Sequence, residues 1–446
     1  MNFILKNENA VYYECGYSCD NCAFVRLSEK AFFLTDGRYA IEAREIIKNA
    51  EILQTRGTLS DEIRALLRRE KVKKIVFDPH DFSYAEFKRL SDHSHVYFAA
   101  KPHFSKLKRM VKSAREIELL KQAARLGEQK FSEFAQFLNA EGEGLSEKEL
   151  FYNANLIFTD RGNLDLSFSP IVAINQNAAK AHALPGGEVL RRGDLLLLDA
   201  GVKFNRYCSD RTRTALFGAV NSASADGAES ANGKNSTPYA DGRKFSSEAD
   251  GENFSSVPGE QNSDFEVGGR NLNAEPSGQN FNLKLAAEGQ NFNSAARAKS
   301  CERAKDPAQT RLYAQGVQSK APSDLAFAKD QKFASQKQNE IYEIVREAQT
   351  AAIKAVRAGV RACDVDFAAR DFIAKQGYGE AFFHSTGHGV GLDIHELPLI
   401  SPRDETVLRE GMVFSVEPGI YLAGEFGVRI EDVVVVTAGG CEILSE

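Results

Sequence analysis

The sequence of 446 residues contains no uninterrupted apolar segment that approaches the ~20 residues needed to span a bilayer. Its net charge of -6 gives no excess of Lys and Arg that would indicate a nucleic-acid or membrane surface. The N-terminal residues lack a charged segment followed by a long apolar run, so we expect no signal peptide. These absences argue against a membrane protein and a nucleic-acid-binding protein, and they predict a cytoplasmic one.

Cysteine is also scarce, with seven residues, an odd number scattered along the chain. This suits a reducing cytoplasm better than a disulfide framework. The spacing Cys15-x3-Cys19-x2-Cys22 matches the iron–sulfur loop of radical S-adenosylmethionine enzymes. The alternative is three small residues in a strand-turn-strand segment. We favour that alternative, because the (β/α) repeats of such a barrel are missing and no fourth ligand is evident for zinc.

With 43% apolar and 26% charged residues, the chain has the composition of a soluble globular protein of two or three domains. Residues 1–108 alternate between strand-like and helix-like patterns. Apolar runs at 23–25 and 31–34 predict a hairpin, and a helical pattern at 60–69 precedes a strand at 74–77. We therefore predict a small N-terminal domain with a mixed α/β sheet.

A second region begins with a capping box, Ser113 with Glu116, followed by apolar residues at helical spacing. Residues 219–335 then change in character, because Ser, Asn, Gly, Ala, Gln and Asp dominate and apolar periodicity vanishes. Such a stretch cannot bury enough apolar surface to offset its chain entropy. We predict that residues 219–335 are a disordered low-complexity insertion between two parts of one catalytic domain, 109–218 and 336–446.

Three of the eight histidines lie within twelve residues, in the segment from His384 through His388 to His395, which we call the histidine loop. Glycines at 387, 389 and 391 allow the backbone to pass close to whatever the imidazoles hold. Histidine in such a segment suits metal ligation or proton transfer near neutral pH. The alternative is a Gly-rich turn with incidental histidines.

Four acids lie in or beside apolar strand-like runs, and we call them the acid cluster: Asp199, Asp210, Glu417 and Glu431. Asp199 follows four leucines, so its burial is costly unless it is paired or bound to a metal. Four carboxylates near His388 would repel one another unless cations neutralised them. A pair of divalent ions ~3.5–4 Å apart solves this problem and can lower the pKa of a shared water. Mostly oxygen ligands with one nitrogen favour Mn²⁺ or Co²⁺.

Five sequence motifs occur in one order along the chain: Leu198-Asp199-Ala200-Gly201, Ser209-Asp210-Arg211-Thr212-Arg213-Thr214, His384-x-Thr-Gly-His388-Gly-Val-Gly, Val416-Glu417-Pro418-Gly419 and Arg429-Ile430-Glu431-Asp432. In these motifs the sequence resembles the pita-bread metallopeptidases, which include Xaa-Pro aminopeptidase, Xaa-Pro dipeptidase and methionine aminopeptidase. The resemblance implies a catalytic domain built on a curved antiparallel sheet. Residues 1–108 resemble the N-terminal domain of the proline-specific members, also found in creatinase.

The resemblance also implies roles for individual residues. The metal ligands would be Asp199, Asp210, His388, Glu417 and Glu431, with Asp210 and Glu431 bridging two divalent ions, Mn²⁺ or alternatively Co²⁺ or Zn²⁺. Glu417 would also act as the general base. Substrate contacts and proton transfer would fall to His182, His384 and His395. Arg429 would pair with a nearby acid. The alternatives are that His182 is a surface loop residue and that His395 is a core histidine whose hydrogen bonds are satisfied.

The function that the resemblance implies is release of the N-terminal residue from Xaa-Pro peptides by attack of metal-bound hydroxide. We expect an aminopeptidase acting on proline-containing peptides, with an Xaa-Pro dipeptidase as the alternative, and a homodimer. Two further alternatives are a non-catalytic peptide-binding module and a metal-free creatine hydrolase on the same fold. Both would be expected to lack some of the five ligands. The insertion lengthens a loop without removing a ligand, and loop length alone costs little stability.

Overall fold

The computed structural model describes residues 1–218 and 332–444. The predicted insertion, residues 219–335, lies outside the described residues except for its last four. The described part contains nine α-helices: α1 Glu8–Cys15, α2 Ala40–Ile46, α3 Leu59–Arg69, α4 Tyr84–Ser91, α5 Phe104–Arg109, α6 Ala114–Phe137, α7 Glu147–Phe158, α8 Gln336–Ala355 and α9 Ala362–Lys375.

The N-terminal region is built on one six-stranded sheet: β1 Phe3–Leu5, β2 Cys22–Leu27, β3 Lys30–Thr35, β4 Glu51–Gln54, β5 Lys74–Phe77 and β6 Tyr97–Ala100. The spatial order is β4-β3-β2-β1-β5-β6. The predicted hairpin is confirmed, since β2 and β3 pair antiparallel with Phe24 opposite Phe33. Parallel pairs β3–β4, β1–β5 and β5–β6 make the sheet mixed, as expected.

The second region contains thirteen short strands: β7 Asp165–Leu166, β8 Ile171–Ile174, β9 Leu195–Ala200, β10 Val202–Phe204, β11 Tyr207–Cys208, β12 Arg211–Leu216, β13 Gly387–Gly389, β14 Glu396–Ile400, β15 Val413–Val416, β16 Gly419–Leu422, β17 Phe426–Arg429, β18 Asp432–Val436 and β19 Cys441–Ile443. Every strand pair described in this region is antiparallel. Two sheets carry the site, with orders β12-β9-β8 and β14-β13-β15-β18-β19. The antiparallel architecture that the resemblance implied is confirmed.

Helices cover these sheets, and α6 begins at the capping box that the sequence predicts. Ser113 and Ser146 each close a capping box at the start of α6 and α7, and Ser335 does the same for α8 with Gln338. Helices α8 and α9 bury residues such as Ile341 and Ile373 in one apolar core with the strands. Burial of an aliphatic side chain of this size stabilises a fold by about 1.5–3 kcal/mol. Helices α8 and α9 thus pack against the sheets and support them through this core.

The three N-terminal cysteines belong to the core of their region. Cys15 ends α1 and Cys22 begins β2, so Cys15 is not in the strand-turn-strand segment expected. The Cys15 thiol bonds to carbonyl oxygens of Val11 and Tyr17, and burial raises the pKa of Cys15 to about 12. Among the described residues no group of converging metal ligands includes these thiols. They are packed structural residues, and the iron–sulfur alternative gains no support.

Candidate active site

A β-hairpin presents the first two members of the acid cluster. Asp199 lies near the end of β9, whose four preceding leucines are all buried, and Thr212 of β12 is its antiparallel partner. Asp210 directly precedes β12, so both carboxylates emerge from the same end of the hairpin. The turn residues Asn205 and Arg206 both have positive φ, and they connect β10 to its antiparallel partner β11.

The histidine loop enters the adjacent sheet through β13, which carries His388. Its flanking glycines are required by close backbone contacts, because a Cβ at Gly387 would lie 1.8 Å from the Ser415 carbonyl oxygen. A Cβ at Gly389 would lie 2.3 Å from the Leu397 carbonyl oxygen. Since no side chain fits at either position, these glycines let β13 approach its neighbours and aim His388 at the acids.

Glu417 and Glu431 follow two strands of the same region. Glu417 comes directly after β15, and its backbone N–H donates to the Thr386 carbonyl oxygen at 2.7 Å. Glu431 lies between β17 and β18, and its N–H donates to the carbonyl oxygen of Thr212 at 3.1 Å. These backbone hydrogen bonds fix Glu417 against the histidine loop and fix Glu431 against the hairpin.

These elements bring ligand atoms into one small volume. One ligand atom each from Asp210, His388 and Glu431 lies within 4.8 Å of the others. His388 Nε2 lies 3.3 Å from Glu417 Oε1 and 3.6 Å from Asp210 Oδ2. Asp199 is not a member of this group of three. Its negative charge nevertheless raises the pKa of Asp210, as the third largest cause after burial and the charge of Glu431. All five residues predicted as ligands therefore interact at one place.

The electrostatics of the acid cluster show that it has too little positive charge to keep all four carboxylates ionised. Burial, followed by the neighbouring carboxylates, raises the pKa of Asp210 and Glu431 well above the usual range. Burial is also the main reason that the pKa of Glu417 rises to about 7. Asp199 Oδ1 and Glu431 Oε1 are buried and have no hydrogen-bond partner among the described residues. Unpaired carboxylate oxygens at this depth fit divalent cations.

The hydrogen bonding of His388 points to the same conclusion. Its Nδ1 lies 3.1 Å from the Gly389 carbonyl oxygen, so the neutral ring donates from Nδ1. Nε2 then presents its lone pair toward Glu417 and Asp210, whose oxygens are also electron-rich. Burial lowers the pKa of His388, which disfavours a proton between them. One imidazole nitrogen among carboxylate oxygens is a donor set suited to Mn²⁺-type ions.

Arg429 is a fully buried cation beside the acid cluster. Its guanidinium donates to Asp199 Oδ2 at 2.6 Å, to Thr212 Oγ1 at 3.0 Å and to the Tyr421 hydroxyl at 2.9 Å. The prediction that Arg429 pairs with a nearby acid is confirmed. The planar fork fixes one oxygen of Asp199 and leaves the other facing the cluster.

The three outer histidines occupy different environments. His384 is half-buried, its Nε2 lies 2.9 Å from the Tyr421 hydroxyl, and desolvation lowers its pKa to about 4. His395 is exposed, and its ring lies 4.3 Å from that of His388, centroid to centroid. His182 is also exposed. Its charge is one of the smaller causes of the lowered pKa of His384 and His395, after burial. All three therefore lie near the ligands.

Some residues that organise the site were not singled out from the sequence. Tyr421 links Arg429 to His384 through its hydroxyl, and it follows Glu417 in the Glu-Pro-Gly-Ile-Tyr segment. Asp366 of α9 is fully buried and accepts hydrogen bonds from the backbone and hydroxyl of Thr386. An acid between Val365 and Phe367 on a helix was the available signal. Ser415, which donates to Glu417, carried no such signal.

The site is thus a cluster of acids and histidines on antiparallel sheets, with a set of donor atoms that suits divalent cations. The model of metallopeptidase family M24 matches residues 118–231 and 323–438, and the creatinase/prolidase N-terminal domain matches residues 2–117. The chain belongs to metallopeptidase family M24. The two M24 segments break within the predicted insertion, although the domain limits given above stay predictions.

Several relatives match over most of their length. The Xaa-Pro dipeptidase of Pyrococcus furiosus is 27% identical over 405 residues, 91% of this chain and 76% of that one. The structure of an Xaa-Pro dipeptidase from Bacillus anthracis superposes with a TM-score of 0.70 at 25% identity, covering 100% of this chain and 92% of that one. The X-Pro aminopeptidase of Thermotoga maritima gives 0.67 at 26% identity, covering 100% and 95%.

These relatives, together with the antiparallel sheets, confirm the pita-bread fold, and the family implies that divalent metal ions are bound. Among the described residues, no helix combines the length and the apolar character needed to cross a bilayer.

Proposed function

We propose that this protein is an Xaa-Pro dipeptidase that uses two divalent ions, with Mn²⁺ first among the candidates. The carrying observation is that buried, unpaired carboxylate oxygens and the Nε2 lone pair of His388 meet at one place. The ions would be held by Asp199, Asp210, His388, Glu417 and Glu431. The sequence alone favoured an aminopeptidase, but the names of the relatives favour the dipeptidase alternative.

When bound, a pair of divalent ions polarises a peptide carbonyl and makes water more nucleophilic at neutral pH. Glu417 is the residue suited to take up and return a proton, since its Oε1 lies 3.3 Å from His388 Nε2, at the place where the ions would be held. Its Oε1 also accepts a hydrogen bond from Ser415 at 3.0 Å, which fixes the orientation of the carboxylate.

His384 remains neutral at pH 7, because burial lowers its pKa to about 4. Its Nδ1 lies 2.8 Å from the Ser385 carbonyl oxygen and donates to it, so Nε2 accepts from the Tyr421 hydroxyl. Tyr421 in turn accepts from Arg429. This chain of donors gives His384 a fixed orientation for substrate binding. His182 and His395, on the exposed side, are suited to contact the substrate and relay protons to solvent.

A dedicated site suits a proline substrate. The Xaa-Pro bond is a tertiary amide without an N–H, and its ring restricts the geometry available to a general peptidase. Glu417 and His384, whose orientations are fixed by hydrogen bonds, are therefore suited to a substrate with few available conformations. A homodimer, which the resemblance implies, stays a prediction.

An Xaa-Pro aminopeptidase is the second candidate, and the similarity to the T. maritima structure supports it. The two activities differ in whether the site is closed beyond the proline. A non-catalytic binding module is less well supported, since all five ligand positions are filled by residues that can bind metal.

Hydrolysis of an Xaa-Pro dipeptide and an Xaa-Pro-Yaa tripeptide, by chelated and Mn²⁺-reloaded protein, tests the proposal. We expect cleavage of the dipeptide only, dependent on added metal. Cleavage of the tripeptide would establish the aminopeptidase instead. If neither peptide is cleaved by protein that has bound metal, the peptidase proposal is wrong and the binding module is favoured.

A further inference from the structure

A second group of potential metal ligands lies in the N-terminal region. One ligand atom each from Asp78, His80 and His103 lies within 4.8 Å of the others. Asp78 directly follows β5 and His103 lies three residues beyond β6, and these strands are parallel neighbours. The carboxyl ends of adjacent parallel strands share one edge of a sheet, where ligands commonly bind. The topology therefore brings together residues that are 25 positions apart in the sequence.

Asp78 holds His80 in a defined orientation. Asp78 Oδ1 accepts from the backbone N–H of His80 at 3.1 Å and lies 2.9 Å from its ring Nδ1. In the neutral imidazole this contact places the proton on Nδ1 and leaves the Nε2 lone pair free. A carboxylate that orients an imidazole in this way is the usual support of a metal-binding histidine. Pro79 begins the short 3₁₀ turn and makes the segment stiff.

His103 approaches from the other strand end. Its φ of +57° lies in the left-handed region, which residues other than glycine seldom adopt. Its ring stacks on that of His80 with centroids 4.3 Å apart and planes 11° apart. The in-plane lone pairs of stacked rings run side by side, so both exposed rings would turn about their side-chain torsions to share one cation.

The three residues of this group differ in exposure. Asp78 is buried, with 5% of its surface exposed, while both histidines are exposed. A buried carboxylate next to two solvent-facing imidazoles gives a cation a path of entry from solvent and a negative counter-charge. Capping of the 3₁₀ turn explains the contact between Asp78 and His80, but it does not require His103.

We propose that His80 and His103 bind one divalent transition-metal ion, independent of the acid cluster, with Asp78 as the carboxylate that orients His80 and supplies the counter-charge. Two imidazole nitrogens suit Zn²⁺, with water in the remaining positions. The geometry differs from the acid cluster, where oxygen ligands dominate. We therefore expect the two sites to differ in metal preference, with Zn²⁺ at the N-terminal group.

The location gives this ion a structural consequence. His103 is the residue before α5, and α5 carries Lys106 and Arg109. Lys106 donates to the His395 carbonyl oxygen at 3.1 Å, and Arg109 pairs with Asp393 at 2.5 Å. Both acceptors belong to the histidine loop. An ion on His103 would thus hold the start of the helix that contacts this loop.

The test counts Zn²⁺ bound by chelated full-length protein after equilibrium dialysis. The background variant Asp210→Asn/His388→Ala weakens the acid cluster so that the second group is measured alone. Within it, we compare His80→Ala/His103→Ala with a matched control, His93→Ala/His95→Ala, which removes two exposed histidines of the same region. The same two pairs are also made in the otherwise unaltered chain.

We expect one Zn²⁺ per chain in the control and none in His80→Ala/His103→Ala. Asp78→Asn should weaken binding roughly 10–100-fold, the usual cost of losing an orienting carboxylate. In the otherwise unaltered chain, the two pairs should differ by one ion. Equal binding by both pairs, or no binding by the control, would overturn the proposal. Because ions are counted without substrate, this outcome is independent of whether the protein cleaves Xaa-Pro peptides.

Discussion

Buried acids in the catalytic region fall into two sets with opposite surroundings. Glu396 is 2% exposed and bonds to Arg109 at 3.0 Å and Lys112 at 3.2 Å. Burial raises its pKa, but Lys112 and Arg109 outweigh burial, and the pKa of Glu396 is lowered. Glu431 is as deeply buried, yet burial and neighbouring acids raise its pKa well above the usual range. Burial alone therefore does not identify a functional acid.

The two sets of buried acids differ in whether the protein itself supplies cationic side chains or hydrogen-bond donors to the carboxylate. Asp432 accepts hydrogen bonds from the side chains of Arg213 and Gln349. Glu147 accepts hydrogen bonds from two backbone N–H groups and one side-chain amide. Such acids hold the fold together. Among the described residues, Arg429 is the one Arg or Lys side chain bonded to a carboxylate of the acid cluster, and the cluster retains unpaired oxygens. The missing charge is what a bound cation would provide.

The largest effect should come from removing a ligand. Asp210→Asn should lower Xaa-Pro hydrolysis at least ~100-fold, since even orienting residues of metal sites contribute ~10–100-fold. The matched control is Asp371→Asn, an exposed aspartate on α9, which should keep normal activity. Steady-state kinetics at saturating Mn²⁺ measures both. Equal activity of the two variants would show that Asp210 is not a ligand.

The two sets of acids should respond with opposite sign when a carboxylate is neutralised in metal-free protein. Glu396→Gln should lower the free energy of unfolding by about 3 kcal/mol, because it leaves two buried cations without their counter-charge. Glu431→Gln should raise it by on the order of 1 kcal/mol near pH 7, because folding no longer requires this carboxylate to take up a proton beside the other acids. Urea unfolding of chelated protein measures both. A loss of stability in both variants would contradict the distinction.

The same distinction predicts a dependence on pH. The pKa of Glu417 rises from 4.5 to about 7 on folding, so protonation of Glu417 favours the folded state. Its contribution is fully present below about pH 4.5, and it is lost as the pH rises through about 7, at a cost of roughly 3 kcal/mol. Urea midpoints of metal-free protein between pH 5 and 8 should therefore fall less in Glu417→Gln than in the unaltered chain. Parallel curves would refute this.

The smallest effect is expected for the insertion. Replacing residues 221–334 by a short Gly-Ser linker should leave Xaa-Pro hydrolysis within about twofold, since loop length changes stability only slowly. The described ends of the neighbouring elements, at Leu216 and Gln336, carry none of the five proposed ligands. Complete loss of activity in a folded deletion variant would show that the insertion takes part in the reaction.

Much of the fold could be predicted, because local patterns coincide with the elements formed. The four leucines before Asp199, the hairpin around residues 23–34 and the capping box at Ser113 indicate structure within a few residues of where it occurs. Helix α1 was not predicted, because its residues have little amphipathic pattern. Pairing of distant strands, such as β15 with β18, depends on contacts that no local pattern records.

Site residues could be predicted from the sequence where a charged side chain occurs in a segment that is expected to be buried. An acid in an apolar strand is costly, so Asp199 and Glu431 could be singled out from sequence. The electrostatic state of the cluster could not, since it depends on where Arg429 places its guanidinium. His80 and His103 were equally hidden, because nothing in the sequence shows that β5 and β6 are neighbours. Distances between distant residues need the folded chain.

The most direct test of the central claim is the number of ions that the acid cluster binds. Chelated His80→Ala/His103→Ala protein, titrated with Mn²⁺ by calorimetry, should bind two ions per chain. Adding Asp210→Asn should greatly weaken that binding. A folded protein that binds no Mn²⁺, or that binds it equally with and without Asp210, would show that the unpaired acids are not a metal centre.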